Sequence, residues 1–443
     1  VAEITIFHGG TIVALDASST VRRADLLVED GVIRDLGGPF DSKGAARVDC
    51  TGALVLPGFV QAHVHLSQAL FRGLAEEADL LRWLEQKIWP LEAAHTAESL
   101  RASARLGLAE MIRTGTTTLC DMGAMRHADV LAQTVEESGV RAVVSRLLMD
   151  QGEGVPPALI ESAARGLEDA TAMARRFDGA GQGRLRFALA PRFVLSCSGD
   201  LLRQAAARSA EHGWLVHTHL NESRREIAAT EKALGVGAVA HFDKAGLLSQ
   251  RFVAAHGVWL TPEERATLAA RQARITHCPS ANLKLASGVC DTKALLDAGV
   301  TVALGADGLP CNNRADPFQE MRLAALLSRL QHGEQALASE RIVRMATSEG
   351  AKALGLAERT GSIEAGKRAD LVVLDTTGTG GSVLEGTDVY DAIVYQMGAE
   401  RVRAVAVDGH LLYESGRLLF ADEAEIVRQA AEERTALVRR AGL

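Results

Sequence analysis

At 443 residues, 47% hydrophobic and 23% charged, the chain has the composition of a folded globular protein with a large core, which excludes disorder. Its net charge of −8 argues against affinity for nucleic acid or an anionic membrane surface. No stretch approaches the roughly 18 apolar residues of a membrane span, and residues 1–6 carry neither a basic region nor a long apolar run, so a cytoplasmic protein acting on a small molecule is expected.

Residues 4–7, 11–14, 25–28, 31–33 and 53–56 read as short strands. From 57 to 365, short apolar segments alternate with long alanine- and leucine-rich helices. The strand candidates are 58–60, 116–119, 142–144, 186–189, 214–217, 252–255, 273–276 and 300–304. Eight strands spaced by helices are what a (β/α)₈ barrel requires, and such a barrel carries functional residues at the C-terminal ends of its strands. Residues 369–374 and 402–409 are again strand-like, a glycine-rich stretch at 376–381 reads as a flexible surface loop, and 423–440 has helical apolar spacing. Neither β-rich end has apolar surface enough for its own core. The expected α/β architecture is therefore a TIM-like (β/α)₈ barrel over 57–365, with 1–56 and 366–443 packing together into one small composite β-sandwich. Six cysteines at 50, 120, 197, 278, 290 and 311 lack the paired spacing of a disulfide framework and read as reduced and mostly buried.

The chemistry is concentrated at strand ends. Side chains alternate along a strand, so His63 and His65 share one face and can grip one ion. A lone His-x-His is weak evidence, but His217-Thr218-His219-Leu220-Asn221-Glu222 follows the fifth candidate strand, His256 ends the sixth, and Asp307 ends the eighth. A catalytic zinc takes three or more histidine or carboxylate ligands and keeps a position for water. His217 lies on the same strand face as His219 and reads equally as a direct ligand or as a support for one. His277 reads as a satisfied core histidine or as a pocket residue. The remaining histidines read as surface or packing residues.

These segments, with Trp89-Pro90-Leu91-Glu92, the run 277–288, Cys311-Asn312-Asn313 and the run 361–370, resemble the motifs of the amidohydrolase superfamily, closest to its purine and cyclic-amidine deaminase branch. The resemblance spans nearly the whole chain. It implies a metal held by His63, His65, His219 and Asp307, with Glu222 as proton shuttle, His256 orienting the hydrolytic water and Asp307 accepting its proton. Zinc is the expected ion, with iron or manganese open alternatives for such a donor set. A homodimer is implied by the resemblance alone.

The candidate substrate-binding residues are Gln68, Trp83, Glu92, Arg192 and Phe193. Trp83 and Glu92 match the nucleoside-binding positions of deaminases acting on 5′-modified adenosines, where the glutamate is expected to hold ribose hydroxyls. Pro191-Arg192-Phe193 instead resembles the guanine deaminase pattern, whose arginine binds the base and whose phenylalanine packs on its ring. A histidine is common at the position of Arg192 among methylthioadenosine deaminases. The runs 305–313 and 89–95 are similar to those of 5′-deoxyadenosine deaminases, which also carry Pro-Arg-Phe, so a 5′-modified adenosine ranks first, guanine or another oxopurine or pterin second, and a chloro- or amino-triazine third. A non-catalytic binding barrel is disfavoured because every ligand and the acid are kept.

Overall fold

The computed structural model describes residues 3–41, 43–76, 80–378 and 386–443. Seven strands open the chain: β1 (Ile4–His8), β2 (Thr11–Val13), β3 (Val21–Arg23), β4 (Asp25–Glu29), β5 (Val32–Gly37), β6 (Ala46–Asp49) and β7 (Ala53–Pro57). The barrel follows: β8 (Phe59–His65), β9 (Thr116–Asp121), β10 (Arg141–Leu148), β11 (Leu185–Pro191), β12 (Leu215–Leu220), β13 (Phe252–His256), β14 (Arg274–His277), β15 (Thr301–Leu304) and the two-residue β16 (Asp307–Gly308). The chain ends in β17 (Leu371–Asp375), β18 (Val402–Val407), β19 (His410–Glu414), β20 (Arg417–Leu418) and a helix at Glu423–Ala441. Of the glycine-rich stretch expected to be a loop, residues 379–381 lie outside the described residues.

Strands β8 to β15 lie side by side in sequence order, each parallel to the next. The short β16, two residues beyond β15, pairs parallel with β8 through Asp307 and Val64 and closes the barrel. Small and β-branched side chains fill its interior, among them Val60, Ala62, Val143, Ala188, Val253 and Ala303. The helix Ser348–Ala353 seals the lower end, where a Cβ on Gly350 would come within 2.8 Å of the Val60 Cβ. With that end plugged, the C-terminal ends of the strands are where the barrel opens to a ligand.

The two chain ends knit into a second layer. One sheet has the order β5-β4-β1-β6, and the other runs β20-β19-β18-β17-β7-β2-β3, with β17 antiparallel to β7 from Leu371 opposite Pro57 to Asp375 opposite Ala53. Both faces of β17 are buried, which explains its unbroken apolar run. Leu371 and Val373 join Phe7, Ile12, Leu26 and Val55 in the core between the sheets, while Val372 and Leu374 join Leu54, Leu56 and Phe59 against the barrel. A one-residue slip would exchange the two sets. The terminal helix is capped by the Asp422 side chain and packs on the helix Ala97–Arg113, burying Ile426, Ala430 and Leu437. All six cysteines are buried and outside any disulfide. No helix among the described residues is long and apolar enough to cross a membrane.

Candidate metal centre and active site

His63 and His65 end β8, His219 sits near the end of β12, His256 ends β13 and Asp307 opens β16. The barrel brings these five side chains to one point. Ligand atoms of His63, His219, His256 and Asp307 all lie within 4.8 Å of one another. His65 Nε2 is 3.3 Å from His219 Nε2 and 3.3 Å from Asp307 Oδ1, and His63 Nε2 is 3.2 Å from the same oxygen. Two of the five pay for their position in the backbone: His256 (φ 75°) and Asp307 (φ 62°) adopt the left-handed conformation without being glycine, at a cost of order 1–3 kcal/mol each. Between β15 and Asp307 the chain must pass hard against β8. A Cβ on Gly305 would meet the His63 carbonyl oxygen at 2.8 Å and the His63 nitrogen at 2.9 Å.

The protons on these groups decide what they can bind. His219 Nδ1 lies 2.6 Å from the Arg192 carbonyl oxygen, so it donates there and leaves a lone pair on Nε2. His256 Nδ1 lies 2.9 Å from Asn282 Oδ1, which likewise turns the Nε2 lone pair toward Glu222 and Asp307. Lone pairs and carboxylate oxygens this close repel one another unless a cation stands between them. The donor set thus fits a divalent metal ion, with imidazole and carboxylate as its chemistry. Burial pushes His63 down to about 4, keeping its ring neutral at ordinary pH. Burial also opposes ionisation of Asp307, but the neighbouring His63 and His65 imidazoles outweigh it and hold the carboxyl well below its usual range.

Glu222 stands beside this cluster, its Oε2 3.4 Å from His256 Nε2 and its Oε1 accepting from Ser287 Oγ at 3.3 Å. A reciprocal cap fixes the backbone there: Ser223 Oγ accepts from the Glu226 nitrogen, and Glu226 Oε2 accepts from the Glu222 nitrogen at 2.7 Å. Burial raises Glu222 to about 7, against the pull of His256. For His256 itself burial is outweighed by the charges of Glu222 and Asp307, which raise it.

A cavity opens from this point, lined by His65, His219, Glu222, His256 and Asp307 at its base and by Gln68, Leu80, Trp83, Leu84, Arg192, Phe193 and Leu285 around its wall. Gln68, Trp83, Arg192 and Phe193 reach the cavity. Glu92 does not line it. Its carboxylate lies behind the wall, where Oε2 accepts from Arg192 Nη1 at 2.5 Å and Oε1 from Arg192 Nη2 at 3.2 Å and Gln68 Nε2 at 2.9 Å. Burial disfavours the Glu92 charge, but Arg192 overcomes that and lowers the carboxyl's pKa. Because this carboxylate only accepts, the Gln68 amide is turned with Oε1 unpartnered.

Other residues were harder to foresee. Asn282 and Ser287 lie in the quoted run 277–288, although nothing in their spacing marks them as supports for His256 and Glu222. Cys311 Sγ donates to Asp307 Oδ2 at 3.1 Å. His95, read only as a surface or packing residue, is buried and lies 2.8 Å from the Ser67 carbonyl oxygen, steadying the turn that carries Gln68. His277 is buried at the end of β14, outside the cavity lining, and its Nδ1 has no partner among the described residues.

Closed barrel, buried carboxyl and cation donors together define a metal-dependent barrel enzyme. The chain belongs to the amidohydrolase family, whose model matches residues 54–412. It is 36% identical to the 5-methylthioadenosine/S-adenosylhomocysteine deaminase of Haloarcula marismortui over 98% of both chains. It is 37% identical to the 5′-deoxyadenosine deaminase of Methanothermobacter thermautotrophicus, over 95% of this chain and 97% of that one. Among solved structures, an adenosine deaminase from Xanthomonas campestris with bound zinc superposes with a TM-score of 0.91 at 31% identity, covering 98% of each chain.

Proposed function

We propose that the protein is a zinc-dependent aminohydrolase of 5′-modified adenosines, converting the 6-amino group to a carbonyl and releasing ammonia. The observation that carries the reading is the meeting of the cation donors with Glu222 at the base of one cavity walled by Trp83 and Phe193. The names of the relatives that match nearly end to end support it.

His63, His65, His219 and Asp307 would hold the ion, with His256 close enough to join them or to orient water beside them. The ion's contribution when bound is to acidify a water molecule toward neutral pH. Asp307 takes up the proton this water loses. Glu222 delivers a proton to the ring nitrogen next to the amine-bearing carbon, drawing electron density from that carbon so that water's oxygen can add; the proton held by Asp307 then passes to the amine, which leaves as ammonia, and the added hydroxyl's proton returns to Glu222 as the carbonyl forms. The flat faces of Trp83 and Phe193 and the apolar Leu80, Leu84 and Leu285 exclude bulk water from the ring. Gln68 offers its free Oε1 as a fixed acceptor to a donor on the substrate.

A guanine or pterin reading would use Arg192 to bind a ring oxygen. Both of its Nη groups point at Glu92 instead, so this arginine is committed to the wall before a ligand arrives. Ammonia release from 5′-deoxyadenosine, methylthioadenosine, S-adenosylhomocysteine, adenosine, guanine, isoxanthopterin and a chlorotriazine, with halide release followed for the last, tests the assignment. Preference for a 5′-modified adenosine is expected, and preference for guanine would overturn it.

A further inference from the structure

Behind the cation donors, on the far side of His63, three strands meet around a second buried histidine. His63 of β8, Cys120 of β9 and His217 of β12 are all fully buried. His217 reaches across the barrel interior, so that its Nε2 lies 2.8 Å from His63 Nδ1 and its Nδ1 lies 3.3 Å from Cys120 Sγ. The two imidazole rings meet edge to face, with centroids 4.9 Å apart.

One proton occupies the short contact between the rings, and its position decides what His63 can do. If His217 donates it, His63 must carry its own proton on Nε2, where it faces Asp307 Oδ1 at 3.2 Å. A ring protonated there has no lone pair for a cation. If His63 donates from Nδ1, the Nε2 lone pair is free, and His217 carries its own proton on Nδ1 toward the cysteine sulfur. Each neutral ring keeps one proton in either arrangement, so the choice between them leaves the net charge of the interior unchanged.

The other two histidines of the four-residue cluster point the same way. His219 gives its Nδ1 proton to the Arg192 carbonyl oxygen and His256 gives its own to Asn282, so each has a dedicated partner behind it. Among the described residues His63 Nδ1 meets no backbone carbonyl or carboxylate, only His217. A metal-binding histidine is normally held by such a partner, which fixes both tautomer and ring orientation. A neutral imidazole does this in the dry barrel interior without burying a further charge.

We infer that His217 is a positioning residue, which accepts the Nδ1 proton of His63 and so holds the His63 Nε2 lone pair toward the metal ion. This inference rests on the metal reading of the site, and the test separates the two. Zinc affinity is measured by competition with a chromophoric chelator for the wild type, His217→Phe and His217→Gln, and histidine tautomers are read in the zinc-loaded wild type by long-range ¹⁵N–¹H NMR. His217→Phe keeps ring volume but removes the acceptor, and its zinc affinity is expected to fall about 10- to 100-fold. His217→Gln restores an acceptor and should recover most of that loss. The NMR spectrum should show both His63 and His217 protonated at Nδ1, a readout that holds even if the Phe variant does not fold. Wild-type zinc affinity in His217→Phe, or His63 protonated at Nε2 in the zinc-loaded protein, would overturn the inference. A wild type that binds no zinc would sink the metal reading itself.

Discussion

The barrel carries a buried charged cluster at each end, and the two are built on opposite principles. At the lower end Arg141, the first residue of β10, donates to Asp370 Oδ2 from Nε at 2.6 Å and to Asp370 Oδ1 from Nη2 at 3.0 Å. The same Nη2 reaches Asp408, which also accepts from Arg368 Nε. Two arginines face two aspartates, and the set ties the barrel to the sheets made by the chain ends. At the upper end, acceptors face acceptors. Three histidine nitrogens and Asp307 converge, and two of the residues sit in strained backbone. Compensated charge marks the end that holds the molecule together, and clustered acceptors mark the end whose donor set fits a cation.

The sharpest break between the two ends is expected at Glu222. Glu222→Gln should lower the rate of ammonia release by about 10²- to 10⁴-fold, the usual contribution of a general acid, while elemental analysis finds zinc per chain unchanged. Arg141→Met tests the other end. Removing one partner from a buried ion cluster costs about 3–5 kcal/mol, which urea unfolding would register, yet zinc affinity of the folded protein should stay at the wild-type value. Lost zinc binding in that folded variant would mean that the two clusters are not independent.

Smaller effects refine the upper cluster. Cys311→Ala deprives Asp307 Oδ2 of a donor and should weaken zinc binding about tenfold in chelator competition. Glu92→Gln loosens Arg192 and lets the Gln68 amide turn. At about 0.5–1.5 kcal/mol per hydrogen bond it should raise KM for the nucleoside some 2- to 10-fold with kcat little changed. A collapse of kcat would instead place Glu92 at the reacting atoms.

The difference between the ends also explains what could be read from the sequence. Alternation along one strand puts His63 and His65 on one face, and the regular spacing of strand and helix implies a barrel whose later strand ends carry His219, His256 and Asp307. Those inferences need only local geometry and chain order. The partnership of Glu92 with Arg192 joins residues a hundred positions apart, and an isolated glutamate gives no hint of which distant charge will face it. Cys120 meets His217 only because β9 and β12 point into one interior. Arg141, Asp370 and Asp408 likewise lie on strands from different parts of the chain, and nothing near any of them marks it as part of a buried cluster.

Titration of zinc into metal-free protein, with ammonia release from 5′-deoxyadenosine followed at each addition, tests the upper cluster most directly. The rate should climb in proportion to added zinc and level off at one ion per chain. Full activity in the metal-free protein, or none after the site is filled, would contradict it.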